Sequence, residues 1–247
     1  MTNNNTALVV GANRGIGLAI TRKLLSNGNV GRVYATYRQV DGNGLFSISD
    51  KRLVNIKADI TESDTLKMMA DTINDNGDEP DLVINSAGIL HENAVCPEKA
   101  LSQCEPASLS RLFMVNSIGP LMLAKAVIPL MPKTRSSHFA VLSAMVGSIT
   151  DNRLGGWYGY RASKAALNQF MRTLAVECRR NRPGLCITAI HPGTTDTQLS
   201  RPFQANVKAE KLYTTTQTAE RILEVVMAGQ PESSGRFVNW DGQPLPW

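Results

Sequence analysis

Short apolar, β-branched runs alternate with helical patterns along the whole chain, and this alternation restricts the fold more than any other feature. ALVVGA, RVYATYR, LVNIKADI, DLVINSAG, HFAVLSAM, LCITAIHPG and GRFVNWDG read as seven strands. Between them, GLAITRKLLSNG, SDTLKMMADTINDNG and TTQTAERILEVVMAG read as helices, as do the stretches from about Pro106 to Met131 and from about Trp157 to Arg182. The last of these stops at Pro183, because the residue before a proline is pushed out of the helical region. The strands are apolar continuously rather than alternately, which suits a parallel sheet covered on both faces. No Gly/Pro/Ser-rich linker and no repeat divides the 247 residues. Residues 1–247 are therefore expected to form one α/β domain with a doubly wound, seven-stranded parallel sheet and helices on both faces.

Composition narrows the function by exclusion. The net charge of +5 is modest, and the basic residues are scattered. The densest cluster, Cys178 to Arg182, falls at a predicted helix end, where cations complement the dipole. No nucleic-acid partner is expected. Cys96, Cys104, Cys178 and Cys186 form no C-x-x-C pair, and His91, His138 and His191 lie far apart, so no metal site is expected. The longest apolar neighbourhood, Gly119 to Met131, is shorter than a membrane span and carries Lys125. The start, MTNNNTALVVGA, lacks the basic and apolar regions of a signal peptide. The expectation is a cytoplasmic chain without a membrane partner.

Ligands of open α/β sheets bind beyond the carboxyl ends of the strands, so the residues after each strand carry the functional reading. After the first strand comes GANRGIG, with Gly11, Asn13, Arg14, Gly15, Ile16 and Gly17. Its glycines allow a tight turn and bring a pyrophosphate close to the N–H groups opening the next helix. This predicts a Rossmann-type dinucleotide site. After the second strand stands Arg38, where an acidic residue would favour the bare ribose of NAD(H). Two guanidinium groups, Arg14 and Arg38, would pair with a 2′-phosphate, so NADP(H) is favoured over NAD(H). Asp41 is the rival for the ribose. Asp59 and Ile60 follow the third strand, where the carboxylate would accept from an adenine amino group. Asn85, Ser86, Ala87 and Gly88 follow the fourth and let backbone pass close to the cofactor.

Ser143 follows the fifth strand, and Tyr160 comes 17 residues later. Tyr160 and Lys164 are i and i+4 and share one helix face, whereas Tyr158 has Ala162 at that spacing. A phenol titrates near ~10, and a neighbouring ammonium would lower that value toward the working range of a general acid or base. Ser143 would orient a carbonyl and stabilise charge developing on its oxygen. After the sixth strand, Pro192 and Gly193 turn the chain, and Thr194, Thr195 and Thr197 offer hydroxyls to a nicotinamide carboxamide. The segment from there to about Tyr213 reads as a mobile lid.

Taken together, GANRGIG, NSAG, Asn116 in MVNSIGPL, Ser143, YRASK and HPG resemble the motifs of the short-chain dehydrogenase/reductase family, in that family's order and over nearly the whole chain. The stretch NSIGPLMLAKAVIPLM and the ending GRFVNWDGQPLPW look like the subgroup of C-factor signalling proteins and sniffer-type carbonyl reductases. The resemblance implies that Tyr160 is the acid/base, Lys164 its modulator and a ribose ligand, and Ser143 the carbonyl orienter. It also implies that Asn116 fixes a local helix break and holds a water in a proton relay to Lys164. The family often has threonine at the position of Val10 and a second asparagine at that of Ser86. The insertion NRLGGW is expected to reshape the substrate mouth, lined by Ala144 to Ser148, LGGWY and Thr194 to Phe203, with Met145, Trp157 and Phe203 making it apolar.

These readings predict an NADPH-dependent oxidoreductase that reduces a ketone, aldehyde or quinone, with Tyr160 as proton donor. The alternative is a dinucleotide-binding signalling or redox-sensing protein acting through a partner. A homo-oligomer built on the helices near 106–131 and 157–182 is what the family implies.

Overall fold

The protein is described by a computed structural model over residues 5–40, 44–92 and 95–247. Seven strands form the main sheet: β1 (Asn5–Val10), β2 (Val30–Tyr37), β3 (Leu53–Lys57), β4 (Leu82–Asn85), β5 (Ser137–Leu142), β6 (Leu185–His191) and, last in the chain, β9 (Arg236–Asn239). Their order is β3-β2-β1-β4-β5-β6-β9, and every neighbouring pair is parallel. The chain winds outward from β1 to β3, then returns to β4 on the other side of β1. That reversal opens a crevice at the carboxyl ends of β1 and β4, the position such sheets use for ligands. Asp41 lies outside the described residues.

Helices α1 (Gly15–Leu25), α2 (Ser63–Asp75), α3 (Pro106–Phe113), α4 (Gly119–Val127), α5 (Tyr158–Asn181) and α6 (Thr215–Met227) cover the sheet. Each strand sends alternate residues to opposite faces, and the core divides accordingly. Leu8, Val83, Phe139 and Ile187 pack with Leu66, Leu112, Leu123 and Leu167 on one face. Val9, Ile84, Ala140 and Ile190 pack with Ile20, Leu24, Ile222 and Val226 on the other. So α2 to α5 cover one face, and α1 and α6 cover the other. A capping box between Thr214 and Gln217 starts α6.

Two details differ from the sequence expectation. First, Thr194–Thr195 (β7) and Leu212–Tyr213 (β8) pair as a separate two-stranded ribbon, which closes the lid segment into a loop with fixed ends. Two-residue strands are too short for any periodicity to announce them. Second, the apolar helical stretch is longer than Gly119 to Met131. Pro106–Leu130 runs continuously for 25 residues and contains an 18-residue window with a mean hydropathy of 1.5, long and apolar enough by length and composition to cross a membrane. Half of that window is buried in the fold, where the helix packs against α2 and α5. Its apolar character is that of a core helix.

Candidate active site

The glycine turn after β1 is closed by side chains from two neighbouring strand ends, those of β2 and β4. Gly11 N–H donates to Thr36 Oγ1 at 3.2 Å, and Ser86 Oγ donates to Val10 O at 2.7 Å and Gly11 O at 3.1 Å. Thr36 and Ser86 thus steady the loop where Val10 has no hydroxyl to offer. Gly11 has φ +78°, and a Cβ there would lie 3.0 Å from Ala87 N. A Cβ on Gly17 would overlap the carbonyl oxygen of Gly11 and Ser86 Oγ. These two glycines are required by contact, and α1 begins at Gly15 with its N–H groups facing the turn.

Beyond the turn lies a cavity of about 880 Å³ running from Arg14, Arg38 and Asp59 past Ala87 and Gly88 to Ser143, Tyr160 and Lys164. Asn13, Ile16, Ile60, Pro192 and Thr197 also line it. A pocket of this volume is ample for a dinucleotide-sized ligand. Asp59 accepts from Thr61 N–H at 2.9 Å and Thr61 Oγ1 at 2.7 Å, which fixes the carboxylate at the end of β3. Arg14 reaches across to Gln198 Oε1 of the lid segment. Arg38 pairs with Glu92 at 2.5 Å.

Three residues expected to touch the cofactor stand behind this wall instead. Asn85 is buried and accepts from Ala87 N–H at 3.1 Å, so it shapes the strand-end turn. Thr195 is buried and shares a 2.8 Å hydrogen bond with Thr218. Gly193 has φ +76°, and a Cβ there would strike the Tyr213 ring. That ring and Trp240 meet edge to face, 5.3 Å apart, and the Arg221 guanidinium lies over both at 4.1 and 4.2 Å, anchoring the turn after β6.

At the other end, α5 begins immediately before Tyr160. Gly155, Gly156 and Trp157 are consecutively left-handed, with φ +65°, +66° and +54°. Trp157 at positive φ costs about 1–2 kcal/mol. Its N–H donates to Glu98 O at 2.5 Å, and Glu98 Oε2 accepts from Gly159 N–H at 3.2 Å, capping the helix from a distant loop. The turn sets the Trp157 ring 6.1 Å from Tyr160 and 5.0 Å from Phe203 of the lid segment. His91 joins from the far side, 5.9 Å from Phe203, with Nε2 3.2 Å from Leu199 O. Trp157 and Phe203 thus pack against each other beside Tyr160, and neither lines the cavity.

Tyr160 and Lys164 are both buried on the inner face of α5. Lys164 Nζ donates to Leu142 O at 2.8 Å and lies 5.8 Å from the centre of the Tyr160 ring. Burial pulls the Lys164 ammonium down to about 8 and pushes the Tyr160 phenol well above its ordinary value. The expectation that Lys164 lowers the tyrosine is not met by protein groups alone. Burial is the cause that acts on the phenol, and the ammonium gives its hydrogen bond to the Leu142 carbonyl.

Asn116 sits in a five-residue π-turn, Met114–Ile118, that interrupts the helix between α3 and α4. Its Oδ1 accepts from Ile89 N–H and its Nδ2 donates to Ile89 O, both at 2.8 Å, and Nδ2 also reaches Ser163 Oγ at 3.1 Å. A Cβ on Gly88 would lie 3.3 Å from Asn116 Oδ1 and 3.5 Å from Lys164 Nζ, so one glycine stands between them. The expected local break is present, with Asn116 beside Lys164.

Ser143 Oγ donates to Asn168 Oδ1 at 2.7 Å. Asn168 was not singled out from the sequence. Yet it follows Lys164 by four residues and Tyr160 by eight, the spacing that continues the same helix face. Its Nδ2 and the Nδ1 of His191 are both buried without a partner. His191 is one position past Ile190, which pairs with Leu142, so it stands beside Ser143 at the strand ends. Glu92 had no signal at all, since nothing local marks a carboxylate that pairs with Arg38 across 54 residues.

The short chain dehydrogenase family model matches residues 5–208. The chain belongs to the short-chain dehydrogenase/reductase family. A 1-hydroxy-2-glutathionyl-2-methyl-3-butene dehydrogenase from Rhodococcus sp. (strain AD45) is 29% identical over 98% of this chain and 100% of its own length. The C-signal protein of Myxococcus xanthus is 32% identical over 68% of this chain and 92% of its own. Among solved structures, the NADPH-bound carbonyl reductase from chicken fatty liver superposes with a TM-score of 0.85 at 28% identity, covering 98% of this chain and 94% of that one.

Proposed function

We propose that the protein is an NADP(H)-dependent carbonyl reductase that converts a ketone, aldehyde or quinone to an alcohol. The observation that carries the reading is the convergence of Ser143, Tyr160 and Lys164 on one end of the cavity that begins at the glycine turn. The cradle fits a dinucleotide, since Gly15, Ile16 and Gly17, whose N–H groups open α1, line the cavity. Gly11, Asn13, Arg14, Gly15, Ile16 and Gly17 would hold the phosphates, Arg38 the adenosine 2′-phosphate, Asp59 and Ile60 the adenine, and Lys164 the nicotinamide ribose. When bound, the cofactor supplies the hydride.

The chain's own residues do the rest. Ser143 turns its hydroxyl from Asn168 to the substrate oxygen and stabilises the charge that grows there. Tyr160 donates its proton to that oxygen. Burial keeps the phenol protonated at rest, and it becomes an effective donor only as the substrate oxygen gains negative charge. Lys164, still largely cationic below about 8, stabilises the phenolate left behind. Trp157, Phe203 and His91 keep water from the substrate end. The cytoplasm and a homodimer through α4 and α5 complete the proposal. The half-exposed Val176 on α5 is the kind of apolar surface a dimer covers.

The test is consumption of reduced cofactor over a panel of aldehydes, ketones and quinones, with NADPH and NADH side by side. NADPH turnover that falls about 10²–10⁴-fold in Tyr160→Phe, with cofactor binding kept, is expected. Full activity in that variant sinks the mechanism. The second reading, a dinucleotide-dependent signalling protein, has the similarity to the Myxococcus C-signal in its favour. Tight NADPH binding with no turnover, and a partner captured only with NADPH present, would move it to the front.

A further inference from the structure

Glu92 stands at the adenosine end of the cavity with an arginine on either side. Arg38 Nη2 pairs with Oε1 at 2.5 Å, and Arg111 reaches Oε2 with Nη2 at 3.0 Å and Nε at 3.3 Å. The three residues come from separate elements: the end of β2, the segment after β4, and α3. Each carboxylate oxygen serves one arginine. Burial raises the Glu92 carboxyl, but the hydrogen bonds and charges of Arg38 and Arg111 outweigh it and hold the group below the usual carboxylate range. It is an anion at neutral pH. A second cavity of about 790 Å³ adjoins the first, and Arg38, Asp59 and Glu92 line both, with Arg111 and Lys57 in the second only. The triad is thus set in the wall between them.

We propose that Glu92 and Arg111 together set the cofactor selectivity: Glu92 competes with the ribose 2′-phosphate for the Arg38 guanidinium, and Arg111 retains the carboxylate that the phosphate displaces. The proposal rests on the NADP(H) reading above and adds two residues to it. A phosphate dianion is a stronger partner for a guanidinium fork than one carboxylate oxygen is, so NADPH opens the Arg38–Glu92 pair. NADH brings only a hydroxyl, which is too weak to displace a carboxylate, so the pair stays closed. Arg111 lowers the cost of opening, because Glu92 keeps its second arginine while Arg38 turns to the ligand. Removing both charges leaves Arg38 unopposed.

The test is binding of NADPH and NADH, read by tryptophan fluorescence, to the wild-type chain and to Glu92→Gln, Arg111→Met and the double variant. Glu92→Gln is expected to tighten NADPH about fivefold and to move NADH less than about twofold. Arg111→Met is expected to weaken NADPH about fivefold, and to have almost no effect when Glu92→Gln is already present, since Arg111 acts through Glu92. Unchanged or weaker NADPH binding in Glu92→Gln overturns the proposal. So does an Arg111→Met loss that is equal in both backgrounds, which would make Arg111 a direct phosphate ligand. Arg38→Met separates the two layers. If it leaves NADPH binding unchanged, the cofactor reading falls and this proposal with it. If it weakens NADPH while Glu92→Gln fails to tighten it, only the role of Glu92 and Arg111 falls.

Discussion

The two ends of the cleft are built in opposite ways. At the β1 and β4 end the wall is backbone, held close by glycines whose side chains would strike carbonyls and amides. At the β5 and β6 end it is side chains, with Ser143, Tyr160, Lys164 and Asn168 all buried and polar. Backbone walls fail when volume is added. Buried polar walls fail when a proton or a partner is lost. The same crevice thus joins one region limited by sterics to another limited by charge.

The sharpest break of that contrast is a single methyl group. Gly17→Ala places Cβ on top of Gly11 O and Ser86 Oγ, and the first of these is backbone that cannot rotate away. The expected cost is about 3 kcal/mol, with loss of measurable cofactor binding. Gly28→Ala meets nothing within 4 Å and is expected to be neutral or slightly stabilising. Thermal melts and a cofactor titration on both variants check this. Wild-type cofactor affinity in Gly17→Ala would mean that the loop has slack the geometry does not show.

The polar end is expected to fail with acid instead. Burial lowers the His191 imidazole to about 4 from an ordinary value near 6.5, and lowers His138 in the same direction. The folded state holds His191 neutral while the unfolded chain takes up a proton below about 6.5. The stability associated with the neutral ring is complete above that value and is lost as pH falls toward about 4. His191 keeps some contact with solvent, so we expect about 2 kcal/mol rather than the full shift. Urea midpoints at pH 7 and 4.5 should diverge less in His191→Gln than in the wild type. Equal acid sensitivity would place the weak point elsewhere.

Legibility followed the same division. The glycine turn, the strand-end motifs and the Tyr160–Lys164 pair are local in sequence, and each could be read from spacing and residue type. So could the seven strands, because continuous apolar runs of that length have few other uses. What escaped is non-local. Glu98 caps α5 from 61 residues away, and Glu92 finds Arg38 across 54. The exclusion of Asn85 and Thr195 from the cavity wall depends on which way one side chain turns at a strand end, and pattern does not carry that. Asn168 was within reach, since its helical spacing from Lys164 is the very argument that selected Tyr160.

The smallest expected effect ties the two ends together through Lys164. Burial lowers its ammonium to about 8, against about 10.5 in the unfolded chain. Between those values the unfolded chain binds more protons than the folded one, so this residue's penalty is absent above about 10.5 and complete below about 8. Lys164→Met removes that penalty, and also removes the hydrogen bond to Leu142 O. The two effects oppose each other at pH 7, at about 3 kcal/mol and about 1–3 kcal/mol, leaving a net gain of about 1 kcal/mol. That gain should shrink as pH rises from 8 toward 10.5, where the unfolded chain also loses its Lys164 proton. Activity should vanish throughout. A variant that is less stable at pH 7 and shows no change in the gap with pH would mean that Lys164 is solvated in the folded protein. The charge-limited end of the cleft would then need another explanation.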